Sequence, residues 1–232
     1  MMQNRSFFGS LPPITKNLII INFLLWFATI TLPRVGVDLV DLLGLHYFQS
    51  SKFNAVQLVT YMFMHDPNSI SHVFFNMFSV FMFGRTLEAA WGSKRFLFYY
   101  ITTGIGAGLV QEVFWYVLLH DQIAMVAANI GWEATQLQLN QLVTIGASGA
   151  VFGILLAFGM LFPNIPLYLM FIPVPIKAKY FVIGYGLIEL FFGISGIQSS
   201  VAHFAHLGGM LFGLFLILYW KKKGIGNNGR FF

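Results

Sequence analysis

The chain has 232 residues, of which 57% are apolar and only 9% are charged, and its mean hydropathy is +0.74. A water-soluble domain carries roughly 25% charged residues to cover its surface. The composition therefore excludes a soluble enzyme and a disordered chain. Because the chain contains no Cys, a disulfide scaffold, a thiolate nucleophile and a Cys-based zinc site are excluded as well. The remaining class is an all-α, polytopic membrane protein.

Six apolar stretches are candidates for transmembrane helices, because a hydrocarbon core of about 30 Å needs roughly 20 apolar residues per helix. The predicted spans are about 17–33, 70–87, 96–119, 149–162, 180–194 and 201–220. Pro33 and Pro163 end two of them, since proline disrupts a helix interior. No small-residue cleavage site follows the first span, so we do not interpret it as a signal peptide. No repeat or linker divides residues 1–232, which predicts a single membrane domain.

The 13 Lys and Arg residues are distributed unevenly among the loops. One side has two in the N-terminal tail, three between the second and third spans, two between the fourth and fifth, and four in the C-terminal tail. The other side has only Arg34 and Lys52. Because basic loops face the cytoplasm, both termini are predicted to be cytoplasmic. We therefore interpret the net charge of +5 as a sign of orientation and expect no nucleic-acid partner.

The loop between the first and second spans, on the outer side, contains two apolar segments. Residues 35–45 and 55–64 are each predicted to form a short interfacial helix that lies at the membrane surface or dips into it.

Polar side chains within the spans are candidate functional residues, because they are costly in lipid. His72 and Asn76 share a face of the second span, Ser148 starts the fourth, and His203 and His206 open the sixth. The predicted orientation puts the N-terminal ends of these three spans in the outer half of the membrane. At 1.5 Å per residue, His72, Ser148 and His206 all lie roughly 8–12 Å below the outer boundary. A shared depth is what a common site requires.

Glycine pairs predict that the fourth and sixth spans cross beside these residues. Gly149 and Gly153 follow Ser148 with the G-x-x-x-G spacing, and Gly209 and Gly213 repeat the spacing after His206. Small residues at this spacing let two helix backbones approach closely in lipid. We therefore expect the Ser hydroxyl and the imidazole to lie at adjacent helix ends.

This grouping has the parts of a site for nucleophilic catalysis. A serine nucleophile needs a base within about 2.6–3.2 Å, and the unperturbed pKa of histidine suits that task near neutral pH. His206 is the predicted base for Ser148. His72 and Asn76 are predicted to donate hydrogen bonds to a developing oxyanion, together with backbone N–H groups at the start of the fourth span.

Each of these residues also has a purely structural interpretation. Ser148 can be a small packing residue, the histidines can satisfy hydrogen bonds within the bundle, and His72 with Asn76 can bridge helices. Glu112 and Glu189, in the third and fifth spans, belong to no motif. Either can orient a histidine, but we favour structural hydrogen bonding for both. The joint occurrence of the other residues at one depth favours catalysis.

Four motifs resemble the rhomboid family of intramembrane serine proteases. They are H-x-x-x-N at 72–76, G-x-S-G at 146–149, A-H-x-x-G-x-x-x-G at 205–213, and G-R-x-x-E-x-x-x-G-S at 84–93. The resemblance covers about residues 58–213. It implies a six-helix bundle of the form common in bacteria, and hence a bacterial plasma (inner) membrane. The family often has a Trp-Arg pair in its first external loop, and here no Trp is followed by Arg.

The resemblance implies a serine-type endopeptidase that cleaves single-pass transmembrane proteins near the outer face of the membrane. Ser148 would be the nucleophile and His206 the general base and acid, in a dyad without an essential Asp. His72 and Asn76 would bind the oxyanion, and His203 would be auxiliary. No cofactor or metal is implied. A mobile gate is predicted at residues 193–200, where Gly and Ser are frequent.

Two alternatives stay open at this point. One is a non-catalytic rhomboid-like protein that binds transmembrane clients, although such relatives lack the Ser or the His. The other is a transporter or metal site using the His, Asn and Glu side chains, although the sequence has no H-E-x-x-H motif and no detectable inverted repeat. The sequence does not indicate the physiological substrate, the cleavage-site preference or the oligomeric state.

Overall fold

The computed structural model describes residues 11–168, 174–195 and 202–224. The helices in these ranges are α1 (Pro13–Thr31), α2 (Leu39–Leu43), α3 (Gln57–Thr60), α4 (Ile70–Ser79), α5 (Arg85–Trp91), α6 (Ser93–Ile130), α7 (Trp132–Leu139), α8 (Ser148–Leu161), α9 (Ala178–Ser195) and α10 (His203–Lys222). Turns of 3-10 helix cover Leu32–Val35 and Tyr61–Phe63, and a π turn at Val80–Gly84 joins α4 to α5. The strands are β1 (Leu45–His46), β2 (Val143–Thr144), β3 (Pro166–Leu167) and β4 (Ile176–Lys177).

Each of the six predicted apolar stretches contains a helix. Within the described ranges, four helical segments are long and apolar enough to cross a membrane: Pro13–Val35, α6, α9 and α10. The fourth predicted stretch is α8, which is apolar but has only 14 residues. The second is the path from α4 through the π turn into α5. The side chains of Leu187, Phe191 and Ile194 on α9 are 61%, 61% and 74% exposed, which is typical of a surface that faces lipid.

The third predicted span is shorter than the helix that contains it. It was expected to end near residue 119, but α6 continues to Ile130, and α7 follows almost at once. No Gly or Pro interrupts residues 109–130, so nothing in the local sequence ends the helix there. Gly131, with φ of +83°, ends it. Most of the segment between the third and fourth predicted spans, up to Leu139, is therefore helical.

Two other predicted boundaries also differ. The predicted gate at 193–200 begins inside α9, which runs to Ser195, and residues 196–200 lie outside the described residues. The predicted interfacial helix at 35–45 is reduced to α2, whose start is capped by the Asp38 carboxylate accepting from the N–H groups of Val40 and Asp41 at 2.9 and 3.1 Å. The segment at 55–64 forms α3 and the following 3-10 turn.

Strand β1 and the loop that follows it hold the chain just before α8. Strand β1 pairs with β2 in antiparallel register, with Leu45 opposite Thr144, and β3 pairs with β4 in the same sense. Gly146 donates its N–H to the carbonyl of Tyr61 at 3.0 Å. The buried amide of Gln57 accepts from the N–H of His46 at 3.3 Å and so ties α3 to β1. The start of α8 is thus held by hydrogen bonds from the loop that precedes α4.

Helices α6, α8 and α10 form the packed centre of the molecule, and glycines make their close approach possible. A Cβ on Gly209 would clash with the carbonyl oxygen of Gly149, so α8 and α10 meet at the predicted crossing. Gly153 of α8 and Gly213 of α10 allow α6 to pack closely against these two helices. Tyr99 of α6 donates its hydroxyl to the carbonyl of Gly153 at 2.8 Å, and a Cβ on Gly213 would clash with that hydroxyl.

At the opposite end of the bundle from Ser148, buried Glu88 joins three helices. Its carboxylate accepts from the backbone N–H groups of Ile14 and Thr15 at the start of α1, at 2.9 and 2.7 Å. It also accepts from the hydroxyl of Ser93 at the start of α6, at 2.6 Å. The first N–H groups of a helix have no partner within it, so a carboxylate is a favourable cap there.

Candidate active site

Ser148 and His206 lie in direct contact although 58 residues separate them in the chain. Ser148 is the first residue of α8, and His206 is in the first turn of α10. The hydroxyl Oγ of Ser148 is 2.7 Å from Nε2 of His206. This distance is within the range that a nucleophile and its general base require. The crossing of α8 and α10 at their glycines brings the two side chains together.

The position of Ser148 at a helix start supplies hydrogen-bond donors. The first N–H groups of an α-helix have no acceptor within the helix and carry the positive end of the helix dipole. Such groups stabilise negative charge that develops on a substrate carbonyl next to the nucleophile. Gly146, two residues before Ser148, has φ of +130°, a conformation that favours glycine. The turn before α8 therefore depends on this residue.

Two contacts fix the ring of His206. The ring of Phe152, one turn after Ser148, stacks on it with centroids 4.3 Å apart and an interplanar angle of 7°. Its Nδ1 lies 2.8 Å from Oε2 of Glu189 in α9. A carboxylate only accepts hydrogen bonds, so the Nδ1 atom carries the proton that it donates. In the neutral ring, Nε2 is then free to accept the proton of Ser148.

His72 faces the same space as Ser148. A Cβ on Gly146 would lie 2.9 Å from Nε2 of His72 and 3.6 Å from Oγ of Ser148. Nδ1 of His72 accepts from the backbone N–H of Asp66 at 3.3 Å. Because Nδ1 accepts, the proton of the neutral His72 ring is on Nε2, which makes that atom a donor towards the site.

Asn76 lies one turn further along α4 and is buried. Its side-chain Nδ2 donates to the carbonyl of His72 at 2.9 Å. In the described ranges no hydrogen bond joins Asn76 to Ser148. The structure thus brings His72 close to the nucleophile, while the hydrogen bond of Asn76 is to the backbone of its own helix.

His203 contacts Glu189 and not the nucleophile. Its Nδ1 lies 2.7 Å from Oε2 of Glu189, the same oxygen that His206 contacts. The three residues are the candidate metal-binding group of the described chain, with ligand atoms within 4.8 Å of one another. Two imidazoles and a carboxylate are a donor set that zinc accepts. A metal ion would have to displace both Nδ1 protons and break both hydrogen bonds to Glu189.

The two glutamates in the predicted spans have different partners. Glu112 accepts from the backbone N–H of Phe48 in the first loop at 2.9 Å, which is the structural role expected for it. Glu189 was also expected to be structural, but it contacts the predicted general base directly. The sequence offered one signal for Glu189, which is the cost of a carboxylate in an apolar helix. Its partner became visible only once α9 and α10 were placed side by side.

Sequence reasoning also overlooked His65, which lies between α3 and α4. Its side chain is fully buried, and its ring packs edge-on against that of His72 with centroids 4.9 Å apart. Burial, followed by the neighbouring His72, lowers the pKa of His65 to about 3. His65 is therefore uncharged at neutral pH.

The family model described as the rhomboid domain matches residues 52–223, which is most of the chain. The chain belongs to the rhomboid family. The resemblance seen in the four sequence motifs is confirmed, and a rhomboid domain agrees with the apolar helices of a membrane protein.

The relatives that the chain resembles carry rhomboid names, and two of the three described next are named as mitochondrial. The chain is 30% identical over 170 residues to RHOMBOID-like protein 12, mitochondrial, of Arabidopsis thaliana, covering 72% of this chain and 46% of that protein. It is 30% identical over 155 residues to the rhomboid protease AarA of Providencia stuartii, covering 62% and 48%. It is 29% identical over 154 residues to Rhomboid protein 1, mitochondrial, of Saccharomyces cerevisiae, covering 65% and 38%. In each case the match spans less than half of the relative.

Proposed function

We propose that this protein is an intramembrane serine endopeptidase that cleaves single-pass transmembrane proteins near the outer face of the membrane. The observation that carries the proposal is the 2.7 Å contact between Oγ of Ser148 and Nε2 of His206 at the start of a buried helix. Membership of a family that includes a named protease, AarA of Providencia stuartii, supports it. Both residues that non-catalytic relatives would lack are present and in contact.

The proposed reaction is acyl transfer followed by hydrolysis. His206 takes the proton of Ser148, whose oxygen attacks the scissile carbonyl. The N–H groups at the start of α8 and Nε2–H of His72 bind the developing oxyanion. His206 then returns the proton to the leaving amine, and the new chain end departs. Water activated by the same imidazole hydrolyses the acyl-enzyme and restores the serine.

The proposed topology has six membrane spans and cytoplasmic termini. It adds the α4–α5 path and α8 to the four long apolar segments. The distribution of 11 basic residues on one side and two on the other supports the orientation. At 1.5 Å per residue, the 14 residues of α8 cover about 21 Å, less than the roughly 30 Å core. If α8 ends at the inner boundary, Ser148 is about 9 Å below the outer one.

The proposed substrates must expose their backbone locally. A transmembrane helix hides its carbonyl groups in internal hydrogen bonds, because lipid offers no alternative partners. Cleavage should therefore favour segments with Gly, Pro or other weak helix formers near the outer face. We propose the bacterial plasma membrane as the location, on the basis of the likeness to the Providencia protease and of the six-helix form.

The test is cleavage by the purified full chain in liposomes. Wild type, Ser148→Ala and His206→Ala are incubated with tagged single-pass substrates, and the products are mapped by mass spectrometry. We expect wild type to cut near the outer face and both variants to lose at least about 10³-fold in rate. A serine-directed fluorophosphonate should label wild type but not Ser148→Ala. Full cleavage by either variant would show that the dyad is wrong. Client capture without cleavage or labelling would favour the non-catalytic binder.

A further inference from the structure

We infer that Glu189 is a positioning residue for His206, so that the site operates as a Ser148–His206–Glu189 triad. The inference rests on the proposed function, because it assigns a role within the same reaction. It adds a third side chain, contributed by α9, to a site that the motifs place on α4, α8 and α10 only.

The geometry is a chain of two hydrogen bonds through one ring. Oε2 of Glu189 is 2.8 Å from Nδ1 of His206, and Nε2 of the same ring is 2.7 Å from Oγ of Ser148. The two nitrogens are on opposite sides of the imidazole. A carboxylate bound at one of them selects the tautomer in which the other can accept the serine proton.

Phe152 cannot supply this selection. Its ring stacks on the flat face of His206 and so restricts the plane of the imidazole. Stacking does not distinguish one ring nitrogen from the other, and a ring turned over in the same plane would keep the contact. A polar partner at Nδ1 is needed to decide which nitrogen faces Ser148. Glu189 is that partner.

Burial increases the electrostatic value of the carboxylate. Glu189 and His206 are 6% and 8% exposed. When His206 takes the proton of Ser148, the ring becomes an imidazolium, and a neighbouring carboxylate stabilises the positive charge. That attraction is stronger where water is excluded than at a solvated surface. The interaction is therefore greater in the transition state than in the resting enzyme, which is the condition for raising kcat.

His203 holds the carboxylate in this position. It contacts the same Oε2 atom at 2.7 Å from the first residue of α10, so the oxygen lies between two imidazoles of one helix. His203 therefore acts on Glu189 and not on Ser148. This arrangement gives His203, the first residue of α10, a physical role.

The competing explanation is that Glu189 merely ties α9 to α10. The substitution Glu189→Gln distinguishes a positioning role from a purely structural one. The amide keeps the size of the side chain and an acceptor oxygen, but it lacks the charge. Glu112→Gln is the matched control, since it makes the same change in another buried glutamate, whose partner is a loop backbone. The measurements are kcat and KM for one mapped substrate in liposomes, and the rate of fluorophosphonate labelling.

We expect Glu189→Gln to lower kcat by about 10²-fold or more while KM changes less than about threefold, since losing the carboxylate of a soluble triad costs about 10⁴-fold in kcat. Labelling should slow in parallel. Glu112→Gln should keep kcat within about threefold of wild type. Equal, small effects of the two variants on kcat would overturn the inference while leaving the proposed function intact. A wild-type protein that neither cleaves nor labels would instead refute the proposed function.

A spectroscopic measurement keeps the inference falsifiable if Glu189→Gln does not fold. In the wild-type protein labelled with ¹⁵N-histidine, nitrogen chemical shifts report which ring atom carries the proton. We expect His206, assigned by loss of its signals in His206→Ala, to be protonated at Nδ1. A wild-type ring protonated at Nε2 would overturn the inference, because that nitrogen could not accept from Ser148.

Discussion

Two buried glutamates of this protein differ in their hydrogen-bond partners. Glu112 in α6 and Glu189 in α9 are 8% and 6% exposed, and each belongs to an apolar helix. Glu112 accepts from a backbone N–H in the first loop, at Phe48. Glu189 accepts from the imidazoles of His203 and His206. Burial and residue type are the same, and only the partner differs.

The contrast shows that the donor decides what a buried carboxylate can do. A backbone N–H keeps its proton at all times, so Glu112 can only anchor the loop. An imidazole gains and loses protons within the pH range of most enzymes, so a carboxylate at Glu189 can orient the ring and stabilise its charged form. The outer-loop region, residues 39–65, should therefore govern stability. The dyad region, formed by the start of α8, the start of α10 and Glu189, should govern rate.

The largest expected effect is that of Gly209→Ala, which should destabilise the whole fold and so disturb both regions. Gly209→Ala puts a Cβ against the carbonyl oxygen of Gly149, which cannot move without separating α8 from α10. We expect the folded state to lose about 3 kcal/mol or more and labelling to fall below detection, because backbone overlap in a packed core is severely destabilising. The measurements are unfolding by SDS and fluorophosphonate labelling.

Gly184→Ala is the control for that variant. It makes the same change in α9, where a Cβ would meet nothing within 4 Å. It should fold and label as wild type does, with up to about 1 kcal/mol gained from helix propensity. Normal folding of Gly209→Ala would refute the close crossing.

A second change should damage the dyad region alone. Gly146→Ala would place a Cβ 2.9 Å from Nε2 of His72, in the space beside Ser148. We expect kcat to fall about 10²-fold, which is the usual effect of losing one oxyanion donor. Gly131→Ala is its control, because Gly131 also has a positive φ, of +83°, but open space around it. If both variants kept the wild-type kcat, His72 would have no part in oxyanion binding.

A third change should damage the outer-loop region alone. Glu112→Leu removes the carboxylate that accepts the part-buried hydrogen bond from the N–H of Phe48, which costs about 1–3 kcal/mol. Denaturant unfolding should show that loss, while kcat per folded molecule stays near the wild-type value. A fall in kcat as large as that of Glu189→Gln would remove the distinction between the two glutamates.

The smallest expected effect is a pH dependence at His65, which lies at the boundary of the two regions. In the folded protein its pKa is lowered to about 3, so the ring stays neutral, whereas an unfolded histidine takes up a proton below about pH 6.5. The unfolded state then binds more protons, and stability falls as the pH decreases from about 6.5 towards 3. Between pH 7 and 5 this amounts to at most about 2 kcal/mol.

The measurement for His65 is the unfolding midpoint at pH 7 and pH 5, for wild type and His65→Phe. The phenyl ring has no titrating group, so the variant should lose less stability on acidification. An identical pH dependence in both proteins would mean that His65 is not the group responsible.

Local sequence predicted part of the fold well and part of it poorly. Hydropathy located a helix in each apolar stretch, and the glycine pairs predicted the crossing of α8 and α10. The end of α6 was missed because residues 120–130 are polar enough to suggest a loop, yet contain nothing that breaks a helix. Residues 193–195, which were predicted to belong to a loop, are the last residues of α9, because a single glycine is tolerated near a helix end.

The sequence by itself determined that this is a membrane protein, which family it resembles, and which serine and histidines are candidate catalytic residues. These follow from composition and short spacings, which are local properties. Only the tertiary structure decided that Glu189 meets His206 while Glu112 meets a loop. The two glutamates have the same side chain and similar apolar neighbours in sequence, so their roles depend on which helix packs beside them. Packing is set by contacts between residues far apart in the chain, so a short sequence pattern does not predict it.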